Sequence, residues 1–587
     1  MFILFALLLL PLSSVSAAPE IMTADQVLPG MQGIAKTVIQ GTKIDTFDIE
    51  IIGVVQESDA SEGRILAKAS GAVIDKTGGV LQGMSGSPVY IDGKLIGAVS
   101  GGWKDIDNRT CLITPIADML KLWDMPEVSG RKIKQVNLKE VLKSYESKED
   151  SVTVKEESKE KALATPIMAA GLSDGALALL TEKLEPFDMV PYAAASAQGN
   201  FAPVTIEPGS SIGAQLVRGD FSLAAIGTVT AVEDGKVLAF GHPFLRKGNV
   251  NYFMTDANII GTASGLNTGF KIGVPGNLVG VIQQDRTSAI AGKLGKYPSV
   301  IPLEVRVTDK QLNTTKRYTM QIAYDEQLAS TLTATMVYNA IDKTIDRTGE
   351  GTAKVSFEIL SSALSDGVLK RDNMYYNPQE VGKLAIGEVF QAMDLLCSNN
   401  LNEVDIFSVK VNIEIEQARK TASILEVVPD KPVVKPGEKV NLAVKLKPYR
   451  SDEVVVVVPY TVPKYQAPGM MALEVRGGGL VPIMQLLMQQ QGIMELGMQE
   501  EKNKPLDKTI QEFMEANKNN EIIVEQAIVP NEQEMQAETV HPVAVDRSKN
   551  VGHEVKDTNK EMKNTKFATE YIIDNFVQTS VNVQSAK

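Results

Sequence analysis

The chain has 587 residues, too many for one hydrophobic core, and that length points to roughly three to five domains. Hydrophobic residues make up 44% and charged residues 22%, as in an ordinary soluble globular protein, while 5% aromatics and 46 glycines favour short strands and turns over long packed helices. A net charge of −13 with no basic, aromatic-studded stripe excludes nucleic acid from the expected partners.

The first residues read "MFILFALLLLPLSSVSAAPE". An apolar run from Phe2 to Leu12, followed by small residues and a Val15-x-Ala17 pattern, has the form of a secretory signal peptide over residues 1–18. No Lys or Arg precedes the run, and the alternative is a buried first strand. The expectation is an exported chain: secreted, periplasmic or associated with the cell envelope. The run is short for a bilayer span, and no later stretch reaches about 18 uninterrupted apolar residues. No transmembrane anchor is therefore expected after cleavage.

Residues 19–125 carry strand signals. "TFDIEIIGVV" (46–55) and "KLIGAVSGGW" (94–103) are β-type runs between turn residues, and "CLITPIADMLKLW" (111–123) reads as a strand passing into a short helix. Residues 126–164 form a linker, because "SYESKEDSVTVKEESKEKA" (144–162) is too polar to bury a core. Over 165–325 the strands return. "GTVTAVEDGKVLAFGHPF" (227–244) shows two strands around an Asp-Gly turn, and "PSVIPLEVRVTD" (298–309) is a further strand. Residues 326–420 read as α+β, with helices at 328–345 and 381–397 around a strand at 352–360. Alternating strands with Pro-Gly turns place a small immunoglobulin-like sandwich at 421–468. Residues 469–530 give a Met-rich helical stretch, then a helix and a strand, and the polar tail 531–587 is expected to be poorly ordered.

Chemistry concentrates in "GGVLQGMSGSPVY" (78–90). A serine hydroxyl becomes a nucleophile when a base takes its proton and donors await the oxyanion. Gly83 and Gly86 let the chain turn tightly enough to aim the N–H groups of Gly83 and Ser85 into one small space, and Pro88 fixes the exit. The plainer alternative is a glycine-rich hairpin with incidental serines. The spacing resembles the G-x-S-G-x-P loop of chymotrypsin-like peptidases, which makes Ser85 the candidate nucleophile and Ser87 a structural hydroxyl. The candidate base is His242 in "LAFGHPF", the only histidine before residue 541. The alternative is a packed histidine bonded to a backbone carbonyl. His541 and His553 fall in the polar tail as solvated bystanders. Cys111 and Cys397 form no CxxC pattern and read as buried free thiols, so neither a metal nor a cofactor is expected.

The segment "DTFDIEIIGVV…ILAKASGAVIDKTGGVLQGMSGSPVYIDGKLIGAVS" closely resembles the serine-bearing part of the SpoIVB peptidase family. "GTVTAVEDGKVLAFGHPF" resembles that family's histidine part, and "GNLVGVIQQDRTSAIAG" the stretch that follows it. The resemblance implies a chymotrypsin-like double β-barrel, with residues 19–125 and 165–325 as the serine and histidine halves of a peptidase domain. The order is permuted, since the histidine part comes first in the sporulation enzymes. The family's catalytic Asp corresponds here to Ser70, a neutral hydroxyl left as the orienting group for the imidazole, with Asp75 and Asp256 as substitutes. No PDZ-type segment is evident. "QQDRTSAIAG" also sets Asp285 beside Arg286, either as a structural ion pair or as a clamp for a substrate carboxylate.

The sequence thus yields an expected mainly β, multidomain, exported serine endopeptidase acting on a protein or peptide, with Ser85 as nucleophile, His242 as base, and Gly83 and Ser85 as oxyanion donors. Two rivals stay open: a peptidase-fold scaffold that lost efficient chemistry, and an assembly factor that cuts its own chain.

Overall fold

The computed structural model describes residues 20–55, 63–102, 107–126, 161–162, 166–185, 189–194, 201–264, 269–345, 347, 349–480, 504–527 and 565–585. The expected signal peptide, the Met-rich stretch, His541, His553 and nearly all of the 126–164 linker lie outside them. The chain divides into two compact units, residues 1–303 with 319–339, and residues 304–318 with 340–587.

The first unit contains two closed barrels. Six strands build the first: β1 (Gln32–Val38), β2 (Ile44–Val55), β3 (Arg64–Ser70), β4 (Pro88–Ile91), β5 (Lys94–Gly102) and β6 (Thr110–Pro115). They run β4-β1-β2-β3-β6-β5, and β5 returns to β4, so no edge is left between them. Alternation explains the closure. Phe47, Ile49 and Ile51 of β2 point inward while Asp48 and Glu50 face out, and the inward set joins Ala35, Ile65, Ala67, Val89, Val99 and Ile113 in one core.

Six more strands build the second barrel: β7 (Ser211–Gly219), β8 (Ser222–Glu233), β9 (Lys236–Ala239), β10 (Gly248–Ala263), β11 (Phe270–Arg286) and β12 (Ala289–Leu294). Their order is β7-β10-β11-β12-β9-β8, with β8 returning to β7. The hairpin between β8 and β9 turns at Asp234 and Gly235, both with positive φ (48° and 76°), as the Asp-Gly pair predicts. Two six-stranded antiparallel barrels in one unit make the mainly β, chymotrypsin-like architecture plain.

The second unit has antiparallel strands at Gly351–Ser361, Val368–Asn377 and Ile406–Glu416, with helices Val381–Ala385 and Gly387–Cys397. Its sandwich is larger than 421–468. Strands Gly469–Gly477, Glu521–Gln526, Thr565–Ala568 and Phe576–Val583 join it, and both sheets share one core. The strand in the expected polar tail escapes a composition reading because "FVQTSVNV" alternates. Val581 and Val583 are buried while Asn582 between them is exposed. Cys111 and Cys397 are both buried thiols, and burial pushes the Cys111 thiol up to about 12.

Candidate active site

The loop before β4 bends at Gly83 and Gly86, with φ of 89° and 91°. Only glycine accepts such angles without strain. Inside the loop, Ser87 donates from both N and Oγ to the Met84 carbonyl (3.0 and 2.6 Å), so Ser87 braces the bend. The second barrel grips the loop from outside. Lys271 N donates to Gln82 O, Thr228 Oγ1 to Gly83 O at 3.0 Å, Thr228 N to Ser85 O at 2.9 Å, and Thr230 Oγ1 to Gly86 O at 2.8 Å.

Two further bonds take the N–H groups of Met84 and Gly86 to Leu81 O and Val99 O. The N–H groups of Gly83 and Ser85 donate to nothing among the described residues. Alternate N–H groups are thus left for a ligand, the pattern an oxyanion site requires. Ser85 is fully buried and its Oγ has no hydrogen-bond partner.

His242 follows β9 after two consecutive residues of positive φ, Phe240 (71°) and Gly241 (68°). For Phe240 that angle is strained, and it is held by packing: the ring is fully buried and fills the space a side chain at Gly227 would need. Gly241 O accepts from Thr114 Oγ1 at 2.6 Å, which itself accepts from Arg64 Nη1 at 2.6 Å. Farther along, Asp285 accepts from Phe244 N and Leu245 N at 2.7 Å each. One buried carboxylate therefore shapes the turn that follows the histidine.

The serine and histidine segments meet. Thr228 donates from N to Ser85 O and accepts at its carbonyl from Phe240 N. Val99 O accepts from Gly86 N at 2.7 Å and lies 3.1 Å from the Cβ position of Gly241. Ser85 is one residue before Gly86, and His242 is one residue after Gly241. The fold thus gathers them around the same two carbonyls, although no hydrogen bond joins the Ser85 hydroxyl to the imidazole.

His242 Nδ1 lies 2.7 Å from Pro243 O. A carbonyl only accepts, so Nδ1 carries the hydrogen and the neutral ring has its lone pair on Nε2. Burial, with the nearby Arg64 charge, lowers the imidazole pKa to about 4, while the Pro243 bond works in the opposite direction.

Ser70 is not brought to this centre. It ends β3, solvent-exposed, six residues from Arg64 and so about 20 Å along the strand. The Pro243 carbonyl takes the place at Nδ1 that Ser70 was expected to fill, because the two positive-φ residues fold the ring back onto its own backbone. Neither alternative carboxylate serves. Asp75 is an exposed partner of Arg109, and Asp256 is spent on Asn277 and Val204 N. Asp285 forms no ion pair with Arg286. It takes backbone N–H groups instead, and Arg286 binds Gln284 and Asn249.

One residue at this centre was missed in the sequence. Lys271 is completely buried on β11, its stem passing beneath Gly83 and its Nζ donating to Thr37 Oγ1 (2.9 Å) and Thr228 Oγ1 (3.2 Å). It has no carboxylate partner among the described residues. Burial lowers its pKa to about 7. The unfolded chain, with an ordinary lysine near 10.5, then binds more protons between pH 7 and 10.5, so stability should rise with pH there. Urea midpoints are expected to increase between pH 7.5 and 9 by an amount equivalent to about 1–2 kcal/mol, and Lys271→Met should flatten that rise. Equal slopes in both proteins would show that Lys271 stays charged in the fold.

Among known families, residues 12–105 match the model described as SpoIVB peptidase S55. No curated protein and no solved structure matches the chain.

Proposed function

Because residues 12–105, which hold the candidate serine, match the SpoIVB peptidase family model, we propose that this chain is an exported serine endopeptidase working through Ser85 and His242. Ser85 Oγ attacks the scissile carbonyl carbon as His242 Nε2 takes its proton. The N–H groups of Gly83 and Ser85 hold the oxyanion. The imidazolium then protonates the leaving amine, and water releases the acyl group by the same steps in reverse. The observation that carries this reading is the loop itself: a family-matched serine with an unpaired hydroxyl, flanked by two undonated N–H groups and gathered with the one histidine of the described residues.

Ser85 is fully buried, so a substrate must part the cleft to reach it. Together with a backbone carbonyl, Pro243 O, at His242 Nδ1, this favours a slow or regulated enzyme, and it is what supports the scaffold as the second reading. A fluorophosphonate probe separates them. The wild type should be labelled at Ser85, with labelling abolished in Ser85→Ala and reduced in His242→Ala. A native, folded wild type that takes no label at any pH between 5 and 9 would leave the scaffold standing.

A further inference from the structure

A cavity of about 450 Å³ opens beside the turn that follows His242, and its wall includes Arg64, Asp118, Lys121, Arg246, Asp285 and Arg286. Among its described residues, four cations against two carboxylates make it locally positive in a chain whose net charge is −13. The carboxylates are already engaged. Asp118 Oδ1 accepts from Lys121 Nζ at 2.7 Å, and Asp285 is buried and satisfied by backbone N–H groups.

Among the described residues Arg286 is held by neutral acceptors alone, Gln284 Oε1 on Nε (3.0 Å) and Asn249 Oδ1 on Nη2 (2.8 Å). A guanidinium carries five N–H donors, so three remain, already oriented. Neither Arg246 nor Arg286 forms an ion pair among the described residues. Arg246 lies in the turn shaped by Asp285, at a positive φ of 56°. The arginine fork matches a carboxylate with two parallel hydrogen bonds, and a fixed fork without a counter-ion loses little entropy on binding one.

We propose that this cavity is a carboxylate subsite for the peptide on which the Ser85–His242 centre acts, taking either a chain-terminal carboxylate or an acidic side chain. The proposal rests on the peptidase reading for its substrate. It rests on Arg246 and Arg286 for its chemistry. The turn carrying Arg246 begins directly after His242, and Arg64, whose charge acts on the imidazole, also lines the cavity, so the subsite adjoins the centre.

The test uses the full chain carrying Ser85→Ala, so that binding is measured without turnover, by ligand-observed NMR at low and at moderate salt. Three probes are compared: N-acetyl-tetraalanine with a free carboxylate, its carboxamide, and a carboxamide with one internal glutamate. The free acid or the glutamate peptide is expected to bind at least tenfold more tightly than the plain carboxamide, and whichever does so identifies the source of the carboxylate. That preference should weaken with salt and vanish in Arg246→Met/Arg286→Met. Equal binding of all three, no binding of any, or a preference that survives the double substitution would overturn the subsite. Labelling by the fluorophosphonate is read separately. A chain that prefers carboxylates but takes no label keeps the subsite and loses the peptidase.

Discussion

Replacing Gly86 with alanine is expected to destabilise the first unit by about 4 kcal/mol or more and to abolish labelling of Ser85. Two effects add. The residue sits at φ 91°, which costs a residue with a Cβ about 1–3 kcal/mol. The new methyl would also run into the Thr228 carbonyl and the Phe240 N, both backbone, so no side chain can swing aside. Those atoms hold the serine and histidine loops together through Thr228. Relief therefore requires the two barrels to separate beside Ser85 and His242. Gly93 supplies the control. It has a positive φ of 79° with nothing within 4 Å of its Cβ position, so Gly93→Ala should cost about 1 kcal/mol through backbone strain alone. Urea denaturation of both variants, with labelling under conditions where each is folded, measures the difference. If Gly86→Ala is as stable as Gly93→Ala, the tight approach at Thr228 does not exist in solution.

What the sequence could reveal here follows from the range of the interactions. The strands around 46–55, 94–103 and 227–239 and the helix Ala329–Ile345 are legible because alternation, Asp-Gly turns and the 3.6-residue period are local signals. Ser85 and His242 could be singled out as candidates because a glycine-framed serine and a lone histidine stand out in one dimension. The supporting groups were not. Lys271 begins a strand that resembles many others, and nothing nearby says that its ammonium is buried beneath a loop 188 positions earlier. Asp285 looked like the partner of its neighbour Arg286, but adjacent residues on a strand point to opposite faces. Asp285 is taken up by the backbone N–H groups of 244 and 245, while Arg286 binds Gln284 and Asn249. The loss at Ser70 has the same origin. A position inherited from a family pattern fixes a place in the chain, whereas the ring is oriented by whichever acceptor the local turn delivers, here Pro243 O.

That substitution of a carbonyl for a carboxylate sets the last expectation. His242→Ala should reduce peptidase kcat/KM by about 10⁴-fold, comparable to losing a triad member, with KM little changed because the ring acts on a proton and not on binding. In the wild type the acidic limb of the pH profile should lie near 4 and not near 6.5, since the ring is held at about 4 by burial and by Arg64. The sign follows from the charge that chemistry creates. Proton transfer from Ser85 turns the imidazole into an imidazolium; burial opposes that cation most, the Pro243 carbonyl offsets part of the burial, and the Arg64 guanidinium adds a smaller opposition. Arg64→Met should therefore move the acidic limb upward and raise kcat at neutral pH. Ser70→Asp, which restores the family residue at an exposed site about 20 Å along β3 from Arg64, should change kcat less than about twofold. A limb that stays near 6.5 in the wild type would mean that the ring is solvated during turnover, and a large gain from Ser70→Asp would mean that β3 swings its end to the imidazole when substrate binds.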